Sequence, residues 1–225
     1  MDNANAPAIR IDFVSDVSCP WCAIGLQSLE QAIARVGDAA TVEVHFQPFE
    51  LNPGLAAEGE DAIEHLVAKY GISEAQARAS GEAIRTRGAE LGFTFDMDRR
   101  RRVWNTFDAH RLLHWAELEG PDRQRALKHA LLRAYFSDGE NVSDHDVLAR
   151  IAASAGLDET RARAILASDE YADAVRERER HYTGNGITAV PSIIFDNRHL
   201  VQGGQPVELF ERVLRQLATA PQASA

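Results

Sequence analysis

The chain carries only two cysteines in 225 residues, and they stand three positions apart in Ser18-Cys19-Pro20-Trp21-Cys22. The run before them, Ile9-Arg10-Ile11-Asp12-Phe13-Val14, is apolar and β-rich and reads as a strand. Pro20 suits the first position of a helix, which places Cys19 at the helix N-terminus. Unpaired backbone N–H groups and the positive end of the helix dipole favour a negative sulfur there, so the Cys19 pKa is expected to fall below that of a free thiol. Cys22 shares a helix face with Cys19 and can close a disulfide with it at little cost in backbone movement. A structural disulfide is a poor alternative, because so short a loop removes little unfolded-state entropy. Zinc would need two more ligands, and no second C-x-x-C exists. The pair therefore reads as redox chemistry, and no metal site is expected.

The remaining signals build an α/β chain in two halves. Ile24, Leu26, Leu29, Ile33 and Val36 recur at helical spacing up to Gly37, and Thr41-Val42-Glu43-Val44-His45-Phe46-Gln47 alternates as a strand, giving a parallel βαβ unit. Pro48 to Gly54 then forms a loop at the sheet edge that carries the cysteines. From about residue 59 to 183 the pattern is helices only. Within it Ser73 and Gln76 make a capping-box signal, and the segment from Val103 to Ala116 reads as one buried helix with Trp104, Phe107, Arg111 and Trp115 near one face. Ser143 is a candidate cap for the helix through Ile151, and a later helix is expected to start near Ser168. The segment from Ile187 to Phe195 reads as a strand, Asp196-Asn197 as a turn, His199 to Gln202 as its hairpin partner, and a last helix starts near Pro206. A discontinuous domain of residues 8–58 and 184–219, interrupted by a helical insertion domain of residues 59–183, follows from that order.

A net charge of −10 argues against nucleic acid or an anionic membrane as partner, since both select clustered positive charge. The opening Met1-Asp2-Asn3-Ala4-Asn5-Ala6-Pro7 lacks the basic and apolar regions of a signal peptide, and no apolar run reaches membrane-spanning length. A cytoplasmic location is expected, where a C-x-x-C is chemical and not a staple.

Four stretches in this order, Cys19-Pro20-Trp21-Cys22-Ala23-Ile24-Gly25, Phe49-Glu50-Leu51-Asn52-Pro53, Asn105-Thr106-Phe107-Asp108-Ala109-His110-Arg111-Leu112 and Gly203-Gly204-Gln205-Pro206, together with Val190-Pro191 before a late strand, resemble thioredoxin-fold oxidoreductases of the DsbA superfamily, in its FrnE-like branch. The resemblance covers nearly the whole chain. It implies a thioredoxin-like fold with a large all-helical insertion, a cis Pro191 against the cysteines, and a Val190 backbone that pairs with a bound peptide or thiol. The superfamily also contains 2-hydroxychromene-2-carboxylate isomerases and kappa-class glutathione transferases, which typically carry serine where this chain has Cys19. Sulfur at position 19 favours dithiol–disulfide exchange over glutathione-dependent isomerisation or transfer, which stands as the alternative. In the glutathione-dependent relatives an asparagine in the loop occupied here by Asn52 meets the ligand, although Asn52-Pro53-Gly54 alone is a turn. Glutathione is accordingly a candidate co-substrate, with no tightly bound cofactor expected. Relatives of this shape are often dimers, so a homodimer is open to this chain.

The expected mechanism has Cys19 attack, or be attacked, to form a mixed disulfide with a protein or small-molecule thiol, and Cys22 resolve it. Pro20, Trp21, Val190, Pro191, Asn52 and Asn105 are the candidate substrate-contacting residues; Trp21 competes with a packed-aromatic reading and Asn105 with a helix-cap reading. Trp21 brings no cation to the thiolate, so the pair is expected to be less oxidising than a C-P-H-C pair. His110 and His114 have an H-x-x-x-H spacing without the glutamate or third ligand of a zinc site, and packing is the better reading. Arg99 to Arg102 reads as a solvated loop, with a carboxylate-holding role if it faces the cleft.

Overall fold

The computed structural model of the chain describes residues 6–56 and 58–219. The terminal segments beyond them, to which sequence reading assigns no role, lie outside the described residues. Strand β1 (Ala8–Ser15) is central: it pairs in parallel with β2 (Thr41–Pro48), from Ala8 opposite Thr41 to Ser15 opposite Pro48. On its other side it pairs antiparallel with β5 (Ser192–Phe195), which pairs with β6 (His199–Gln202), so the sheet order is β2-β1-β5-β6. A strand covered on both faces buries successive residues, and β1 does so from Ile11 to Ser15. Phe13 and Phe46, partners across β1 and β2, meet edge to face with ring centroids 5.8 Å apart.

Helix α1 (Pro20–Val36) crosses from β1 to β2 and packs against α9 (Val207–Thr219). Between β2 and β5 lie α2 (Ala62–Tyr70), α3 (Glu74–Glu90), α4 (Phe107–Glu119), α5 (Pro121–Phe136), α6 (His145–Ser154), α7 (Glu159–Leu166) and α8 (Ala172–Gly184). Three of these, α4, α5 and α8, contact β2. The Ser73–Gln76 capping box opens α3 as the spacing predicts.

Several local expectations are corrected. The segment 59–183 is not purely helical, because β3 (Glu60–Asp61) pairs antiparallel with β4 (Arg102–Val103). That pairing takes Val103 out of the helix, which starts at Phe107, and leaves Trp104 ahead of it beneath the Arg102 guanidinium, 5.3 Å from the ring. The cap of α6 is Asp144, whose carboxylate accepts from the N–H groups of Asp146 and Val147, while Ser143 is bound to Asn141. Helix α8 starts at Ala172, not near Ser168, whose carbonyl accepts from Arg111. The late strand begins only after Pro191, which has no N–H to give a ladder. Asp196 and Asn197, both at positive φ, make the tight turn to β6.

Candidate active site

The parallel pairing of β1 and β2 brings the residues after both strands to one end of the sheet. Cys19 is the N-cap of α1 in extended conformation and Pro20 its first residue, as the sequence implies. Both thiols are free; Cys22 is buried completely, Cys19 is 4% exposed, and the two cysteines stand 3.2 Å apart. The peptide bond between Val190 and Pro191 is cis, and the Cys19 Sγ donates to the Val190 carbonyl oxygen at 3.6 Å. Trp21, 45% exposed, is the large apolar side chain that the pair presents to solvent.

Two glycines of the sequence motifs allow this closeness. A Cβ on Gly25 would stand 3.1 Å from Cγ of Pro191, so the bare backbone of α1 lets the proline ring lie against it. A Cβ on Gly204 would stand 3.1 Å from the Trp21 carbonyl oxygen and from Cγ2 of Ile24. The loop after β6 thus closes on the start of α1 through a missing side chain.

Asp16, just before the cysteines, is a residue that sequence reading missed. It is fully buried, and its carboxylate accepts from the Leu51 N–H at 2.7 Å, the Ser18 hydroxyl at 3.0 Å and the Ser18 N–H at 3.2 Å. His110 Nε2 lies 3.5 Å from its Oδ1. Burial pushes the Asp16 carboxyl up, but His110, the Leu51 N–H and Thr106 outweigh it and hold it down to about 2. One carboxylate thereby gathers the C-P-W-C segment, the Phe49-to-Pro53 loop and the start of α4.

The Cys22 thiol is pushed well up by burial and by Cys19 beside it, while Lys128 on α5 pulls the other way. Cys22 is therefore held in its thiol form, which suits an inner resolving sulfur.

The other candidates divide. Asn52 stands in the loop after β2, with its side-chain oxygen taken by Lys69 Nζ at 2.6 Å and His65 Nε2 at 3.1 Å. Lys69 and Tyr70, at the end of α2, lie within the electrostatic reach of Cys19 and border the site from the helical segment. Asn105 lies before α4: its oxygen accepts from the Phe107 N–H at 2.9 Å and its amide reaches the Leu55 carbonyl at 3.5 Å, the helix-start role weighed from sequence. His110 turns to Asp16, whereas His114 packs on the Tyr171 ring at 5.1 Å, so the two perform separate tasks. Arg100 stacks on Tyr135 at 5.1 Å and Arg102 grips the Glu58 and Gly59 carbonyls, so these two arginines of the basic run make contacts within the fold.

A buried dithiol at the N-terminus of the first helix, crossed by a cis-proline on a β2-β1-β5-β6 sheet, defines the class of thioredoxin-fold redox proteins. The chain belongs to the DsbA-like thioredoxin domain family, whose match spans residues 10–215. It is 38% identical to a probable DsbA oxidoreductase of Streptomyces coelicolor, with a TM-score of 0.87 and 96% of this chain and 93% of that one covered. The cytosolic disulfide reductase DsbM of Pseudomonas aeruginosa, solved with GSH, shares the fold at 16% identity and a TM-score of 0.63 over 92% of this chain and 98% of that one. A curated Bacillus subtilis protein, YwbO, is 25% identical over 207 residues, 92% of this chain and 96% of its own length.

Proposed function

We propose that the chain is a thiol–disulfide oxidoreductase of the FrnE-like kind, acting in the cytoplasm on protein or small-molecule disulfides through Cys19 and Cys22. The observation that carries this is the placement of the Cys19 sulfur at the helix N-cap, against the Val190 carbonyl, with the Cys22 thiol directly behind it. A substrate disulfide that reaches Cys19 exchanges one sulfur for it, forming a mixed disulfide and releasing the other sulfur as a thiol. Cys22 then attacks the Cys19 sulfur, the substrate leaves with the electron pair and takes a proton, and the protein holds the disulfide. Substrate gains two electrons and the pair loses two. A substrate chain would meet the Val190 carbonyl at the cis bond and the exposed Trp21 ring. Residues 8–58 with 184–219 would act as the redox domain and residues 59–183 as its cover.

A glutathione-dependent isomerase or transferase is the second reading, favoured by one feature, the Lys69–Asn52 contact within electrostatic reach of Cys19. It makes glutathione a ligand and Cys19 its holder. Turbidimetric reduction of insulin with a dithiol donor separates the two. Wild type should reduce insulin and Cys19→Ser should not; absence of dithiol-dependent activity in wild type, with glutathione-dependent turnover surviving in Cys19→Ser, would transfer the assignment to the second reading.

A further inference from the structure

Three buried nitrogen atoms on α4 and α5 have no hydrogen-bond partner among the described residues: Nζ of Lys128, Nε2 of His110 and Nδ1 of His114. Native folds leave very few buried polar groups unsatisfied, so three together call for a physical explanation. Their side chains line one small cavity, of about 10 Å³, and share its wall with Gln47 and Pro48 at the end of β2 and with Arg178 of α8. Gln124, one turn before Lys128, pins α5 to β2: its oxygen accepts from the Phe46 N–H at 2.9 Å and its amide donates to the Phe46 carbonyl at 3.0 Å. Lys128 itself is 1% exposed, with Nζ 5.9 Å from the centre of the Phe46 ring. His110 Nε2 stands 3.5 Å from Oδ1 of Asp16, an ionic contact at the outer limit of hydrogen bonding.

We propose that this cavity is a binding site for a single water molecule, which accepts from the Lys128 ammonium and joins it to the imidazoles of His110 and His114. The volume is that of about one water, and the wall supplies the polar partners that a buried water needs. The chemistry of the wall selects the occupant. An ammonium only donates, so whatever fills the cavity must accept. Burial, and then the cation of Arg178, push the His114 pKa down, which keeps that ring neutral at pH 7 with one nitrogen that donates and one that accepts. A water accepts and donates at once, whereas a halide only accepts, and a phosphate or carboxylate exceeds the space. Arg178 already engages the Gln47 oxygen at 3.2 Å and the Glu117 carboxylate. The water closes a polar line that runs from α5 through His110 on α4 to Asp16, which holds Ser18 and Leu51. The helical segment is thereby tied to the loop that carries the cysteines, whether or not the pair exchanges disulfides.

A high-resolution crystal structure of the wild-type chain tests this without any variant. The expected result is density for one water in the cavity, within hydrogen-bond distance of Lys128 Nζ and of a nitrogen of His110 or His114. A cavity without such density overturns the proposal. So does an anomalous peak there in crystals soaked in bromide, which would assign the site to a halide. In solution, oxygen-17 magnetic relaxation dispersion counts long-lived internal waters. Lys128→Met, of similar length and without donors, should lose about one of them relative to wild type, with folding checked by circular dichroism. An unchanged count in the folded variant would overturn the assignment of Lys128 as the group that holds the water.

Discussion

The N–H of Leu51 donates to Oδ2 of Asp16 at 2.7 Å, joining the loop after β2 to the residue that precedes the C-P-W-C segment. Through Asp16 the cysteine loop and the β2 loop hold each other in place, and His110 closes the arrangement from α4. A buried anion thus ties the segment that carries the cysteine pair to the β2 loop and to α4.

The acid limb of stability should reveal that anion. Asp16 is held at about 2 in the folded chain against 3.8 for an ordinary aspartate, so it contributes stability above pH 4 that is lost as the pH falls through 2. The difference corresponds to about 2 kcal/mol. Asp16→Asn should lower stability at pH 7 by about that amount and flatten its fall between pH 4 and 2, read from urea unfolding at each pH. An acid limb of unchanged steepness would show that Asp16 is not the group responsible.

Gln124 supplies both partners of the Phe46 backbone. Gln124→Ala leaves a buried N–H and a buried carbonyl unpaired and should cost about 2–4 kcal/mol. A loss below about 0.5 kcal/mol in urea unfolding would mean that these groups find other partners.

The βαβ start, the cap position of Cys19, the hairpin turn and the closing helix were all readable in the sequence, because each is set by local signals: Pro20, the Val42-Val44-Phe46 alternation, Asp196-Asn197. The β3–β4 pairing was not. Its strands are two residues long and some forty residues apart, and nothing in Glu60-Asp61 or Arg102-Val103 marks a strand. At the site, the cysteines and Val190-Pro191 were readable from the motifs. Asp16 and Lys128 were not, since a charged residue on a loop or helix ordinarily faces water and only tertiary packing buries it. His110 stands out in the sequence by its spacing to His114, yet its partner lies on another element altogether.

Trp21 is exposed beside a nearly covered Cys19, and the proposed exchange makes it a contact for substrate. Trp21→Ala should raise KM for a protein disulfide about fivefold, a loss of ~1 kcal/mol of binding, and leave thermal stability within about 0.5 kcal/mol. A large fall in Tm with unchanged KM would return Trp21 to a structural role.

No cation flanks Cys19 within the dipeptide Pro20-Trp21. The reduction potential of the pair should consequently lie below about −120 mV, the value of the strongly oxidising C-P-H-C type. Equilibration with glutathione buffers, followed by tryptophan fluorescence or thiol alkylation, measures it. A value at or above that mark would refute the argument from Trp21.

The most direct test of the exchange mechanism removes the resolving sulfur and looks for what stays attached. Cys22→Ser, incubated with disulfide-bonded insulin or with cell extract and analysed by non-reducing mass spectrometry, should accumulate covalent adducts on Cys19 that dithiothreitol releases, while wild type accumulates few. Absence of any Cys19 adduct from Cys22→Ser, under conditions where the variant is folded and Cys19 is reduced, would contradict the assignment of this pair to thiol–disulfide exchange.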